Sequence, residues 1–139
     1  MSEPHGKPKL RIGVVIDCLH ESYQSTIWGG MAEAARAQDV TLISFVATSQ
    51  DRTSHFHVHY PVVRDFAAMA DLDGLVVFTG SIAEHHGAAF AADFVSRFGN
   101  VPTVCMSTQV AGFPSVVVDN RAGIIELIDH FVQVHNLPD

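Results

Sequence analysis

Basic residues are scarce in this chain: eight lysines and arginines stand against fifteen acidic residues, for a formal net charge of -7. The lysines are confined to Lys7 and Lys9. No basic stripe is available to neutralise phosphates, which argues against nucleic-acid binding by this segment. Cysteine is as sparse. Cys18 and Cys105 are the only two and lack metal-ligand spacing. In a cytosolic chain, two buried thiols are the default over a disulfide. No apolar run reaches the roughly 20 residues that span a bilayer, and the polar opening MSEPHGKPK holds no signal-peptide core. The expectation is a cytoplasmic protein with no membrane partner. The motifs GxGxxG and GxxxxGK followed by Ser or Thr are both missing, so dinucleotide and P-loop readings lack support.

What remains is a rather apolar globular chain. Hydrophobic residues make up 47% of its 139 positions and charged residues 17%, enough for one domain with its own core and too apolar for disorder.

Residues 11–40 organise the whole. The run RIGVVI suits a strand covered on both faces. A polar turn follows, carrying Asp17, His20, Glu21 and Ser22. A helix over 23–38 then puts Ile27, Met31, Ala34 and Ala35 on one side. Gly29, Gly30 and Ala32 are small enough to bring that helix close to a sheet. This is half of a βαβ unit, in which ligands meet the loops at the carboxyl ends of the strands.

Beyond it, 41–47 reads as a second strand and 48–60 as a His-rich loop. Pro61 opens a short helix with Val62, Val63, Phe66, Ala67 and Ala70 on its apolar face. The third strand is 74–78. Ser81 and Glu84 have capping-box spacing for a helix running to about Phe98, with Ala91, Phe94, Val95 and Phe98 facing the core. Residues 103–107 and 115–118 supply the fourth and fifth strands, and Asp119 or Asn120 can cap a last helix over 121–135. Such alternation predicts an α/β fold: a flavodoxin-like, doubly wound parallel sheet in the order 2-1-3-4-5, with right-handed crossovers.

The last helix stands out. Ile124, Ile125, Leu127, Ile128, Phe131 and Val132 cover more of its circumference than one sheet face needs, so a second partner layer is expected.

An ordered series of motifs carries a resemblance: IGVVID, Tyr23, Gly30 with AEAA, DGLVV, PTVCMS and PSVVVDNRAG. Over about 11–135 the chain resembles the amino-terminal lobe of type I periplasmic-binding-protein-like domains, and among these the ligand-sensing domains of the lac repressor family. Tyr23, Gln24 and Ser25, Phe45 at a strand end, VVVDNRAG, and the later Ile128, Asp129, His130, Val134 and His135 are similar to sensor domains that precede histidine kinase or diguanylate cyclase domains in bacterial signalling proteins. No helix-turn-helix precedes Arg11, where the repressors carry one. The resemblance implies residues 1–10 as a flexible lead-in, 11–119 as the amino-terminal lobe, and 120–139 as a crossover helix toward a missing second lobe. A small polar ligand, sugar or nucleoside-like, would bind between the lobes, with a downstream signalling domain as output and no cofactor. A homodimer is expected, hiding the spare face of the last helix.

The resemblance places the ligand contacts on strand-end loops. Tyr23 offers a ring for stacking and Gln24 an amide for hydrogen bonding. Thr79, Ser81 and Ser107 are hydroxyls at the same rim, although Ser81 fits helix capping better. Asp119 either accepts ligand hydroxyls or caps the last helix.

Other chemistries fare worse. Asp17 ends the first strand as in a receiver domain, but Thr79 stands where the acceptor Asp would be, and no Lys follows the last strand. His55, His57 and His59 alternate, and an extended segment would aim all three the same way; lacking a cysteine or carboxylate neighbour, a solvated loop is the simpler reading. No Ser-His-Asp order or carboxylate pair stands out. The expected role is a non-catalytic sensing lobe. The alternatives are a fragment of a lac-repressor-type regulator, or a flavodoxin-like enzyme domain, since fold does not set function.

Overall fold

A computed structural model of the chain describes residues 9–19, 22–47 and 56–135. Among these, ten elements follow one another: β1 (Arg11–Ile16), α1 (Ser22–Ala37), β2 (Thr41–Val46), α2 (Phe56–Met69), β3 (Gly74–Phe78), α3 (Thr79–His86), α4 (Ala88–Ser96), β4 (Thr103–Met106), β5 (Ser115–Val116) and α5 (Asn120–His135). The five strands form one parallel sheet in the order β2-β1-β3-β4-β5, as the alternation predicts.

Strand periodicity sorts the core into two halves. Val15, Leu75, Val77 and Cys105 point to the face covered by α2, α3 and α4, where Ala67, Ile82, Phe94 and Val95 meet them. Val14, Ile16 and Phe78 point to the opposite face, covered by Ile27, Trp28 and Met31 of α1. Trp28 also donates its indole N–H to the Ser44 hydroxyl of β2 at 2.8 Å. Three helices thus cover one face and one covers the other. Beside α1 the thinner side leaves an apolar groove of about 240 Å³, lined by Ile12, Met31, Ala34, Ala35, Leu42 and Val76 among others.

Several elements depart from the expected bounds. The helix expected to open at Pro61 begins at Phe56 and carries Pro61 in its interior. Only 48–55 of the expected His-rich loop lies outside the described residues. The single helix expected over 81–98 is two, because Gly87 adopts φ 86° and ψ 158°, outside the helical region, and turns the chain between α3 and α4. The Ser81–Glu84 capping box does not form at a helix start. The N-cap position falls earlier, on Phe78, which makes no side-chain cap, and the Ser81 hydroxyl donates instead to the Phe78 carbonyl at 3.3 Å.

In α1, Ala32 is buried, but a side chain at Gly29 or Gly30 would meet open space. Close approach to the sheet therefore falls to Ala32, not to the glycines. Ala34 is exposed, so the covering face is rotated toward Gln24 and Trp28.

The greatest departure is α5. The pattern predicts more apolar surface than one sheet face can cover, and that surplus is exposed as expected. The side expected against the sheet is exposed too: the helix buries no residue at all. Its seven large apolar side chains, from Ile124 to Val134, are 40 to 61% exposed.

Candidate functional site

The carboxyl ends of β1, β3 and β4 lie side by side, because β3 pairs with both β1 and β4. From β1 the chain leaves through α1 on one face, and from β3 through α3 and α4 on the other. Diverging crossovers open a crevice between adjacent strand ends, the usual ligand position in doubly wound sheets.

Tyr23, in the first turn of α1, stands at this rim with 53% of its surface exposed. Its hydroxyl lies 3.3 Å from the Ser107 Oγ, at the end of β4. The start of α1 and the turn after β4, 84 residues apart, are thereby joined over the crevice. Ser107 is half-buried and adopts φ 75°, in the left-handed region that residues other than glycine seldom occupy. A ring and two hydroxyls, facing solvent at a strand-end crevice, suit a ligand that presents an apolar face and several hydroxyls.

The other expected contacts have different surroundings. Gln24 is only 7% exposed, and its Oε1 accepts the Cys18 backbone N–H at 3.1 Å. It braces the β1–α1 turn from inside. Thr79 is fully buried, and its hydroxyl is directed to the backbone carbonyls of Met106 at 3.0 Å and Thr108 at 2.8 Å. One hydroxyl hydrogen serves both acceptors. Asp119 accepts the Ala122 N–H at 2.9 Å through Oδ1, capping the exposed α5. Of the five residues expected to touch ligand, the fold brings Tyr23 and Ser107 together at the surface. It places Gln24 and Thr79 beneath them and gives Asp119 a capping bond.

Sequence reasoning passes over Gly80. A Cβ built there would come 2.7 Å from the Ser107 Cβ, so only glycine leaves room for the β4 turn. The Thr-Gly pair directly after a strand is the available signal. Below the rim, Cys105 is buried beside Thr79 and Ser115; burial pushes its thiol pKa up, outweighing those two hydrogen-bonding neighbours.

Among the described residues, no cluster of three or more His, Cys, Asp and Glu side chains could hold a metal ion. The alternating-histidine idea needs extended backbone, but His57 and His59 lie in α2, and His55 is outside the described residues.

No family model matches the chain, and no curated protein matches it in sequence. Solved structures do. The lac repressor bound to ONPG in its repressed state superposes with a TM-score of 0.65 at 16% identity, over 93% of this chain and 37% of that one. A LacI family transcriptional regulator from Mycobacterium smegmatis gives 0.62 at 16% identity, over 87% and 40%. GanP, a glucose-galactose binding protein from Geobacillus stearothermophilus, gives 0.61 at 18% identity, over 94% and 44%. The chain therefore has the fold of one lobe of a type I periplasmic-binding-protein-like structure, and spans under half the length of these structures.

Proposed function

We propose that this chain is the amino-terminal, non-catalytic lobe of a two-lobed small-molecule sensor, with residues 11–119 forming the lobe and 120–139 crossing toward a second one. The reading rests on the Tyr23–Ser107 pair, an aromatic ring and two hydroxyls at the switch point of the sheet. Its ligand is a small polar molecule, sugar or nucleoside-like, gripped between the lobes so that closure moves an attached output domain. The names of the similar structures lend support, since they include a sugar-binding protein and transcriptional regulators. A signalling output such as a kinase or cyclase rests on sequence resemblance alone. The setting is cytoplasmic in this reading, and no described helix is long and apolar enough to cross a membrane.

Calorimetry on the intact gene product against a panel of free sugars and nucleosides tests the proposal. We expect one ligand class to bind, and Tyr23→Ala to weaken it about 10-fold or more, as loss of a stacking ring and one hydrogen bond would. Absence of binding across the whole panel would reject the sensor reading. A lac-repressor-type regulator is the second reading, favoured by the presence of regulator structures among the matches; a DNA-binding segment encoded ahead of residue 1 would select it.

A further inference from the structure

Ser107 holds a backbone conformation that serine avoids, and the residues around it account for how. On the carboxyl side, the Thr108 carbonyl is tied to the Thr79 hydroxyl at 2.8 Å; on the amino side, the Met106 carbonyl is tied to the same hydroxyl at 3.0 Å. The two ties bracket Ser107. Against its side chain lies Gly80, where any Cβ would stand 2.7 Å from that of Ser107. The Ser107 N–H donates to the Val116 carbonyl at 2.9 Å, fixing the turn to β5 as well. Pinned from three directions, Ser107 keeps φ 75° and presents its hydroxyl to Tyr23. Backbone strain of this kind persists only where the surroundings over-determine it, and it gathers at functional sites.

We propose that Thr79 and Gly80 are positioning residues: the Thr79 hydroxyl and the bare Gly80 Cα hold Ser107 in its left-handed conformation, so that the Tyr23–Ser107 hydroxyl pair is set before any ligand arrives. Thr79 is fully buried and does not itself meet ligand. Besides neighbouring the Cys105 thiol, its hydroxyl bears on the ligand site through Ser107, and a preorganised pair spares the ligand the cost of ordering the turn. The functional weight of this device rests on the sensor reading above, but the device itself is read out without ligand.

The test is heteronuclear NMR on the labelled 139-residue chain. Positive φ at Ser107 gives a strong intraresidue HN–Hα NOE, and the Tyr23 Cζ shift reports the hydroxyl contact. Thr79→Ser keeps the hydroxyl and should keep both signals. Thr79→Val keeps the shape without the hydroxyl and should lose both, as should Gly80→Ala. Both signals surviving in a folded Thr79→Val chain would overturn the proposal. If that variant does not fold, the double variant with Ser107→Gly decides, because glycine takes positive φ without being held there. Recovery of folding is expected; failure to recover would make Thr79 a packing residue and overturn the proposal. In the intact gene product, Thr79→Val should weaken binding of whichever free sugar or nucleoside the panel identifies by at least about 5-fold, with Thr79→Ser near the parent. A panel without any binder would count against the sensor reading, while the NMR signals would still decide whether Thr79 and Gly80 hold Ser107.

Discussion

Burial, more than residue type, decides what each polar side chain does. Tyr23 and Gln24 are neighbours, yet one has half its surface in solvent and the other is braced inside the β1–α1 turn. Cys105 shows the same logic for a titratable group. Its thiol is buried against β3, and burial raises its pKa above the ordinary 9.0. At neutral pH the native thiol is therefore uncharged and shielded, and should react with iodoacetamide only as fast as the chain opens. The sign for stability follows. Below the unfolded thiol's pKa the group is neutral in both states and its contribution is constant. As pH rises from about 9 toward the higher folded value, the unfolded chain ionises first, and stability is lost. Denaturant melts of the parent and Cys105→Ser at pH 7 and pH 10 check this, with the parent expected to lose more on going to high pH.

Helices and strands are unevenly legible in the sequence, and the failures share a cause. Strand positions follow from short β-branched runs, and the sheet order from their alternation with helices, because burial on both faces imprints composition directly. Helix boundaries follow less well. Pro61 has the character of a first-turn residue, since that is where the missing N–H costs least, but α2 starts more than a turn ahead of it. Gly87 fits inside a helical period, whereas it takes a backbone conformation no L-residue adopts cheaply. Gly87→Ala should therefore destabilise the lobe by about 1 kcal/mol or more, measurable by urea denaturation. Two candidate contacts, Tyr23 and Ser107, are legible from their place at strand ends. Depth is not. A hydroxyl just after a strand looks alike in sequence whether it faces solvent, as Ser107 does, or a neighbouring turn, as Thr79 does.

At the scale of the whole molecule, α5 is covered by nothing among the described residues, while Phe94 and its neighbours carry the core. Substitution should separate the two. Phe94→Ala opens a cavity under the sheet and should cost about 3–5 kcal/mol, whereas Ile128→Ala should change stability by less than about 0.5 kcal/mol. The exposed flank should instead govern association. In the proposed sensor it meets a second lobe, and in the 139-residue chain it is expected to pair with another copy. Light scattering should find a dimer for the parent chain and a shift toward monomer for Ile128→Glu, which sets a charge into the apolar stripe.

Because the sole tryptophan is wired to Ser44 on the single-helix side, the protein carries an optical probe of one seam. Its emission will shift when α1 peels from β2, and it will stay silent while the layer around Phe94 loosens. A fluorescence trace that moves ahead of far-ultraviolet dichroism would therefore time the two flanks of the sheet separately, without any added label.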